Sequence, residues 1–189
     1  MVLPIYLYGH PVLRKESEPV TKDYPDLLKL IKNMKDTMYA SDGIGIAAPQ
    51  VGINIRLIYI DVDVLADDMP ELKGRKMVLI NPEVTIDVKE DAISREEGCL
   101  SLPGIHEGVK RIEKINLKWF DENWEEHEEA IEGYLARVVQ HEFDHLDGRL
   151  FIDHVSPIRK QLNRAKLNNI IRGKVHCNYR TCGYKPKRK

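Results

Sequence analysis

Apolar positions recur along this chain with two different periods, and each predicts a different kind of element. From residue 25 to 38, Leu27, Leu30, Ile31, Met34 and Met38 fall at helical spacing. Pro25 suits the first turn of that helix, and Ser41-Asp42-Gly43 ends it. Residues 53–61 and 77–80 are rich in β-branched and aromatic side chains and read as strands, the second closed by Asn81-Pro82. Residues 83–88, 116–120 and 128–131 are further strand candidates, and the polar stretch 63–76 reads as a surface loop. A second helix spans 133–146, with Gly148 just past its end. A third starts at the Ser156-Pro157 cap and runs to about Ile171, where Gly173 closes it. Its stripe of Ile158, Leu162, Ala165 and Ile171 is expected to pack on the domain. Strands that precede the helices rather than alternating with them predict an α+β fold, with antiparallel sheets packed around the second helix and a helix at the C-terminus.

Composition leaves that picture alone, whereas charge divides it. With 189 residues, 42% hydrophobic and 31% charged, the chain can bury one real core. No stretch approaches the ~18 uninterrupted apolar residues of a membrane span, so no membrane partner is expected. The start, Met1-Val2-Leu3-Pro4-Ile5, lacks the basic and long apolar regions of a secretory leader. Three cysteines are too few for a disulfide scaffold, which favours a reducing, intracellular location. The formal net charge of −1 hides an asymmetry: from His154 onward there are eleven Lys or Arg and no Asp or Glu, against 18 cations and 30 anions before it. The chain is therefore divided into a body, 1–153, and a basic helix and tail, 154–189, compact with the body to about residue 172. A cationic tail on an acidic body suits an anionic partner such as RNA, and otherwise its last residues are expected to fray.

Candidate chemistry begins at His141-Glu142-Phe143-Asp144-His145. Residues four apart share a helix face, so both imidazoles can reach one cation. Glu142 lies roughly 100° further round the helix, still within reach of a water on that cation. A metal lowers the pKa of such a water to ~7, and the glutamate takes its proton. The bland alternative is a pair of surface histidines, but Leu135, Val138, Val139 and Leu146 turn this helix towards a core. Catalytic sites of this kind take three protein ligands. Phe151 stands where one protease pattern places a third histidine, and no Asp or Glu follows Asp153 to serve another. Asp147, Asp153 and, upstream, Cys99 remain as candidates.

Cys99 lies in Glu97-Gly98-Cys99-Leu100-Ser101, followed by Leu102-Pro103-Gly104, a composition that predicts a tight, exposed bend. It could be the third ligand, a nucleophile with a helix histidine as base, or a small core residue. The small residues of Gly43-Ile44-Gly45-Ile46-Ala47-Ala48-Pro49-Gln50 let the backbone approach another chain closely. By itself that stretch reads as a helix-to-strand connection. His176, Cys177 and Cys182 could form a small metal knuckle, yet without a fourth ligand an unstructured end is expected.

Taken together and in this order, residues 43–50, 97–101 and 140–145 resemble the three signature motifs of the peptide deformylase family: G-Φ-G-Φ-A-A-x-Q, E-G-C-L-S and Q-H-E-Φ-D-H, with Φ apolar. The resemblance extends to His10-Pro11-Val12-Leu13-Arg14 and Leu79-Ile80-Asn81-Pro82 and fades beyond about Phe151. It implies removal of the N-formyl group from the N-terminal formylmethionine of nascent polypeptides in a bacterial cytoplasm. It assigns Cys99, His141 and His145 as metal ligands, with a water completing the set and Glu142 as general base and then acid. Gln50 and the Leu100 N–H would stabilise the oxyanion. Gly43, Gly45, Glu97 and Gly98 would flank an extended substrate, and Ile44, Tyr134, Arg137 and Val138 would form the methionine pocket. An ion pair between Glu97 and Arg111 is expected to buttress the Cys99 bend. The resemblance further implies Fe²⁺, with Zn²⁺, Ni²⁺ or Co²⁺ as substitutes, and the ribosome as the partner of the basic C-terminal helix. The alternatives are an H-E-x-x-H metallopeptidase and a non-catalytic homologue that binds nucleic acid through its tail.

Overall fold

The structure, a computed structural model, describes residues 1–86 and 91–183. In chain order its elements are β1 (Ile5–Tyr6), α1 (Leu27–Ala40), β2 (Gly45–Ala47), β3 (Leu57–Asp61), β4 (Lys76–Ile86), β5 (Ala92–Gly98), β6 (His106–Ile112), β7 (Lys114–Phe120), β8 (Glu126–Glu132), α2 (Gly133–Leu146), α3 (Pro157–Leu162), α4 (Arg164–Ile171) and β9 (Thr181–Cys182). Strands β2-β3-β4-β7-β8 form one antiparallel sheet, β5 and β6 an antiparallel hairpin, and β1 and β9 a short parallel pair.

Helix α2 covers the predicted residues, and its apolar side explains its central place. Leu135, Ala136, Val139 and Leu146 pack against Ile58, Ile60, Leu79, Ile115 and Leu117 of the large sheet. Each of the leucines, isoleucines and valines contributes about 1.5–3 kcal/mol when fully buried. A second cluster joins α1 to both ends of the chain: Met34 and Met38 meet Ile5, Phe151 and Ile170. Antiparallel sheet around a central helix, closed by C-terminal helices, is the expected α+β architecture.

Several boundaries differ from the sequence reading, each for a physical reason. Strand β4 continues through Asn81-Pro82, which was expected to end it. Asn81 takes a left-handed φ of 50° and the register slips between Ile80 and Glu83, so the proline sits at a bulge where its missing N–H breaks no regular pairing. The Asn81 side chain is tied to the backbone of Val20 by bonds of 2.8 and 2.9 Å. Residues 87–88 of the expected 83–88 strand lie outside the described residues. The third helix breaks at Asn163, which turns inward to Glu107 and the Arg159 carbonyl. The buried face runs through Asn163, Leu167 and Ile170, whereas Ile158 and Leu162 are 75% and 67% exposed. The stripe expected to pack on the domain is thus the wrong one. As far as Gly183 the segment after α4 is held in place rather than unstructured, through Ile5 N to Arg180 O (2.8 Å), Leu7 N to Cys182 O (3.0 Å) and the β1–β9 pair, while the rest of the end expected to fray, residues 184–189, lies outside the described residues. No helix among the described residues is long and apolar enough to cross a membrane.

Candidate metal centre

Cys99 follows the last residue of β5, in a turn closed by Leu102 N to Cys99 O at 2.9 Å. His141 and His145 lie one helical turn apart on α2. The fold brings the thiol and both imidazoles together, with one ligand atom from each within 4.8 Å of the others. Cys99 Sγ lies 3.3 Å from His145 Nε2. Burial alone would raise the Cys99 pKa, but the charge of His145 and hydrogen bonds from His141 and His145 hold it at about 5. Burial likewise opposes charge on His141, yet Cys99 and Glu97 raise its pKa well above the ordinary value. The other ligands the sequence left open are elsewhere: Asp147 pairs with Arg56 at 3.1 Å, and Asp153 pairs with Arg14. Phe151, in the place of a protease's third histidine, stacks on His141 with ring centroids 6.0 Å apart. Among the described residues, neither group of side chains able to hold a cation includes His176, Cys177 or Cys182.

Beneath the cluster runs a buried chain of charges. Glu97 accepts two bonds from Arg111, at 2.7 and 3.0 Å, and one from Arg137 at 2.8 Å. Its second oxygen also lies 2.9 Å from His141 Nδ1, which fixes that ring and turns Nε2 towards the cluster. Burial would raise the Glu97 pKa, but the bonds from His141 and Arg111 hold it at about 2. Arg111 reaches on to Asp144 at 2.9 Å, and Asp144 to His154 at 2.8 Å. The expected Glu97–Arg111 pair is therefore present, inside a larger network that the sequence did not suggest. Arg137, only 2% exposed, donates to Glu97, Glu113 and the carbonyls of Ile93 and Val109. It thus ties α2 to both strands of the β5–β6 hairpin, and its charge is neutralised there.

A cavity of about 470 Å³ opens above the cluster. Gly43, Ile44 and Gly45 form one side, Glu97, Gly98 and Leu100 another, and Tyr134, Arg137 and Val138 come from α2. Of the predicted site residues His145 alone does not line it; it sits underneath, 1% exposed. Glu142 is 4% exposed, and burial raises its pKa. A Cβ at residue 45 would lie 2.6 Å from Glu142 Oε1, so glycine is what lets β2 pass this carboxylate. Gln50 follows β2 in a short 3-10 turn. Its Oε1 accepts from Ala47 N at 2.8 Å, which sets Nε2 towards Cys99 Sγ at 3.5 Å. The sequence reading missed the fourth side of the cavity, formed by residues 176–179. Residues 174–180 belong to no helix or strand, so no hydrophobic period marked them in the sequence.

These residues fit a divalent cation. A thiolate with two imidazoles suits Fe²⁺, Zn²⁺ and their neighbours, and three protein donors are the pattern of catalytic rather than structural sites. Glu142 Oε2 and His145 Nδ1 are buried without a hydrogen-bond partner, so a carboxylate oxygen beside the cluster is left for a reactant.

Residues 2–161 match the family described as polypeptide deformylase. The peptide deformylase of Christiangramia forsetii is 46% identical over 188 residues, covering 95% of each chain. The crystal structure of a peptide deformylase from Legionella pneumophila superposes with a TM-score of 0.80 at 37% identity, covering 92% of this chain and 98% of that one. That of the Thermotoga maritima peptide deformylase gives 0.73 at 43% identity, covering 83% and 99%. The chain belongs to the polypeptide deformylase family, metal-dependent hydrolases that act on formylated N-termini.

Proposed function

We propose that Cys99, His141 and His145 hold a divalent cation, Fe²⁺ in the first place with Zn²⁺, Ni²⁺ or Co²⁺ as substitutes, and that the site deformylates the N-terminal formylmethionine of nascent polypeptides. The observation that carries this reading is the gathering of a thiolate and two imidazoles at the floor of one cavity, His145 beneath it, with a buried carboxylate and a buried amide in its wall. When bound, the cation lowers the pKa of a water to ~7 and polarises the formyl oxygen. Glu142 takes the proton of the attacking water and returns it to the leaving amine. The Gln50 amide, preset by Ala47 N–H, stabilises the oxyanion together with the Leu100 N–H. The peptide lies as an added strand between Gly43–Gly45 on one side and Glu97-Gly98 on the other. Ile44, Tyr134 and Val138 receive the methionine side chain, with Arg137 bracing the wall behind. A formyl carbon bears only hydrogen, so it enters a narrow site that a bulkier acyl group does not.

Formate release from formyl-Met-Ala tests the reading. Activity is expected to vanish on chelation and to return on adding Fe²⁺, Zn²⁺, Ni²⁺ or Co²⁺. No formate with any of these metals would sink it, and cleavage of unformylated peptides would favour the metallopeptidase instead. Replacing Gln50 by Met is expected to lower kcat about 10²- to 10³-fold, the usual cost of one oxyanion donor. Circular dichroism of that variant should match the parent, and an unchanged kcat would remove Gln50 from the mechanism.

A further inference from the structure

The segment between α4 and β9 has no part in the mechanism above, and it lies beyond residues 2–161, where the family match ends. It is nevertheless held over the cavity at several points. Gly173 turns the chain with a φ of 66°, and Lys174 N returns to Asn169 O at 2.8 Å. Val175 and Tyr179 pack on the cluster that contains Met38 and Phe151. The Tyr179 hydroxyl donates to the carbonyl of Leu100 at 2.7 Å, next to Cys99. Beyond it, Arg180 donates to Val2 O at 3.0 Å and β9 pairs with β1. From the other direction Tyr8 N, just after β1, bonds Ser101 O at 2.8 Å, so both chain ends are fastened to the bend that carries Cys99.

Docked in this way, His176, Cys177, Asn178 and Tyr179 line the same cavity as Gly43, Gly45 and Glu142. The metal cluster and the α2 wall take the formyl group and the methionine. A peptide leaving them between β2 and the end of β5 runs along the rest of this cavity, and these four residues form one of its walls. We infer that residues 176–179 form a subsite for the residues that follow formylmethionine, making the C-terminal segment a determinant of peptide specificity. This rests on the deformylase reading. Contacts to remote parts of a substrate act through kcat/KM, so removing them penalises longer peptides and leaves the reacting centre in place.

The test is the ratio of kcat/KM for formyl-Met-Ala-Ser to that for formyl-Met-amide, in the metal-loaded full-length enzyme and in the triple variant His176→Ala/Cys177→Ala/Asn178→Ala. His176 and Asn178 are exposed and Cys177 is half-buried, and the variant keeps the Tyr179 anchor and the β1–β9 pairing. The ratio is expected to fall about five-fold or more, the scale of a lost subsite contact. A smaller fall overturns the inference. Release of no formate from either substrate by the parent enzyme would instead overturn the deformylase reading, so the two failures are distinct. A second arm measures binding of the product Met-Ala-Ser by calorimetry. Weaker binding to the variant is expected, and equal binding to both proteins counts against the subsite.

Discussion

Replacing Glu142 by Gln is expected to lower kcat for formate release by about 10²- to 10⁴-fold, the range of a lost general base. The fold and the uptake of one metal equivalent should be unchanged. The amide has the size of the carboxylate and fills the same space beside Gly45, where even a Cβ would lie 2.6 Å from Oε1. What it lacks is the capacity to take a proton. The environment prepares that capacity in two ways. Burial raises the Glu142 pKa, which brings the carboxyl closer to the pH at which it must both accept and release a proton. Its Oε2 is buried without a protein partner, so no internal hydrogen bond competes for the reactant. A drop in kcat with little change in KM would place the lost interaction in the transition state. Activity within ten-fold of the parent, with metal content equal by elemental analysis, would mean that another group serves as base.

How much of this could be read beforehand depended on which side chains face inward. Helix α2 was legible because Leu135, Val138, Val139 and Leu146 recur at helical spacing and the histidines sit on a second face of the same run. Strands β5 and β6 were not. In β6 the inward positions are Glu107, Val109 and Arg111, and in β5 Glu97 alone is buried, so the alternation that marks a strand is carried by charges. The charges are tolerated because each meets a partner: Glu97 with Arg111 and Arg137, Glu107 with Arg159 and Asn163. No periodicity rule finds such pairs before the chain is folded. The same contact misled the reading of the third helix, because the buried face runs through the polar Asn163, paired with Glu107, rather than through Ile158 and Leu162. At the centre itself, spacing identified His141 and His145 but could not choose among Cys99, Asp147 and Asp153. That choice needs the β5–β6 bend laid over α2, which only the motif resemblance anticipated.

The charged interior also carries the largest expected effect on stability. Glu97→Ala leaves two guanidinium groups, those of Arg111 and Arg137, buried without their shared anion. Breaking a buried pair on one side typically costs about 3–5 kcal/mol, and although Asp144 and Glu113 still face the two arginines, at 2.9 and 2.8 Å, each guanidinium stays desolvated with one of its two anions gone. Urea unfolding should report a loss of that size, and a loss below about 1 kcal/mol would show that the network contributes little. In the double variant Glu97→Ala/Arg111→Met one of the two cations deprived of Glu97 is removed together with it, and Arg137 keeps Glu113. The two losses should therefore fall short of additivity by about 0.5–3 kcal/mol. The centre should suffer as well, since Glu97 orients His141, and a lost partner of this kind typically lowers metal affinity about 10- to 100-fold. Acid supplies an independent check on the same carboxylate. Its folded pKa of about 2 lies below the ordinary 4.5, so the stability it contributes is complete above pH 4.5 and is lost as pH falls towards 2. Across that interval the parent should lose stability more steeply than Glu97→Ala. Parallel curves would mean that Glu97 is not held ionised by Arg111 and His141 in the folded chain.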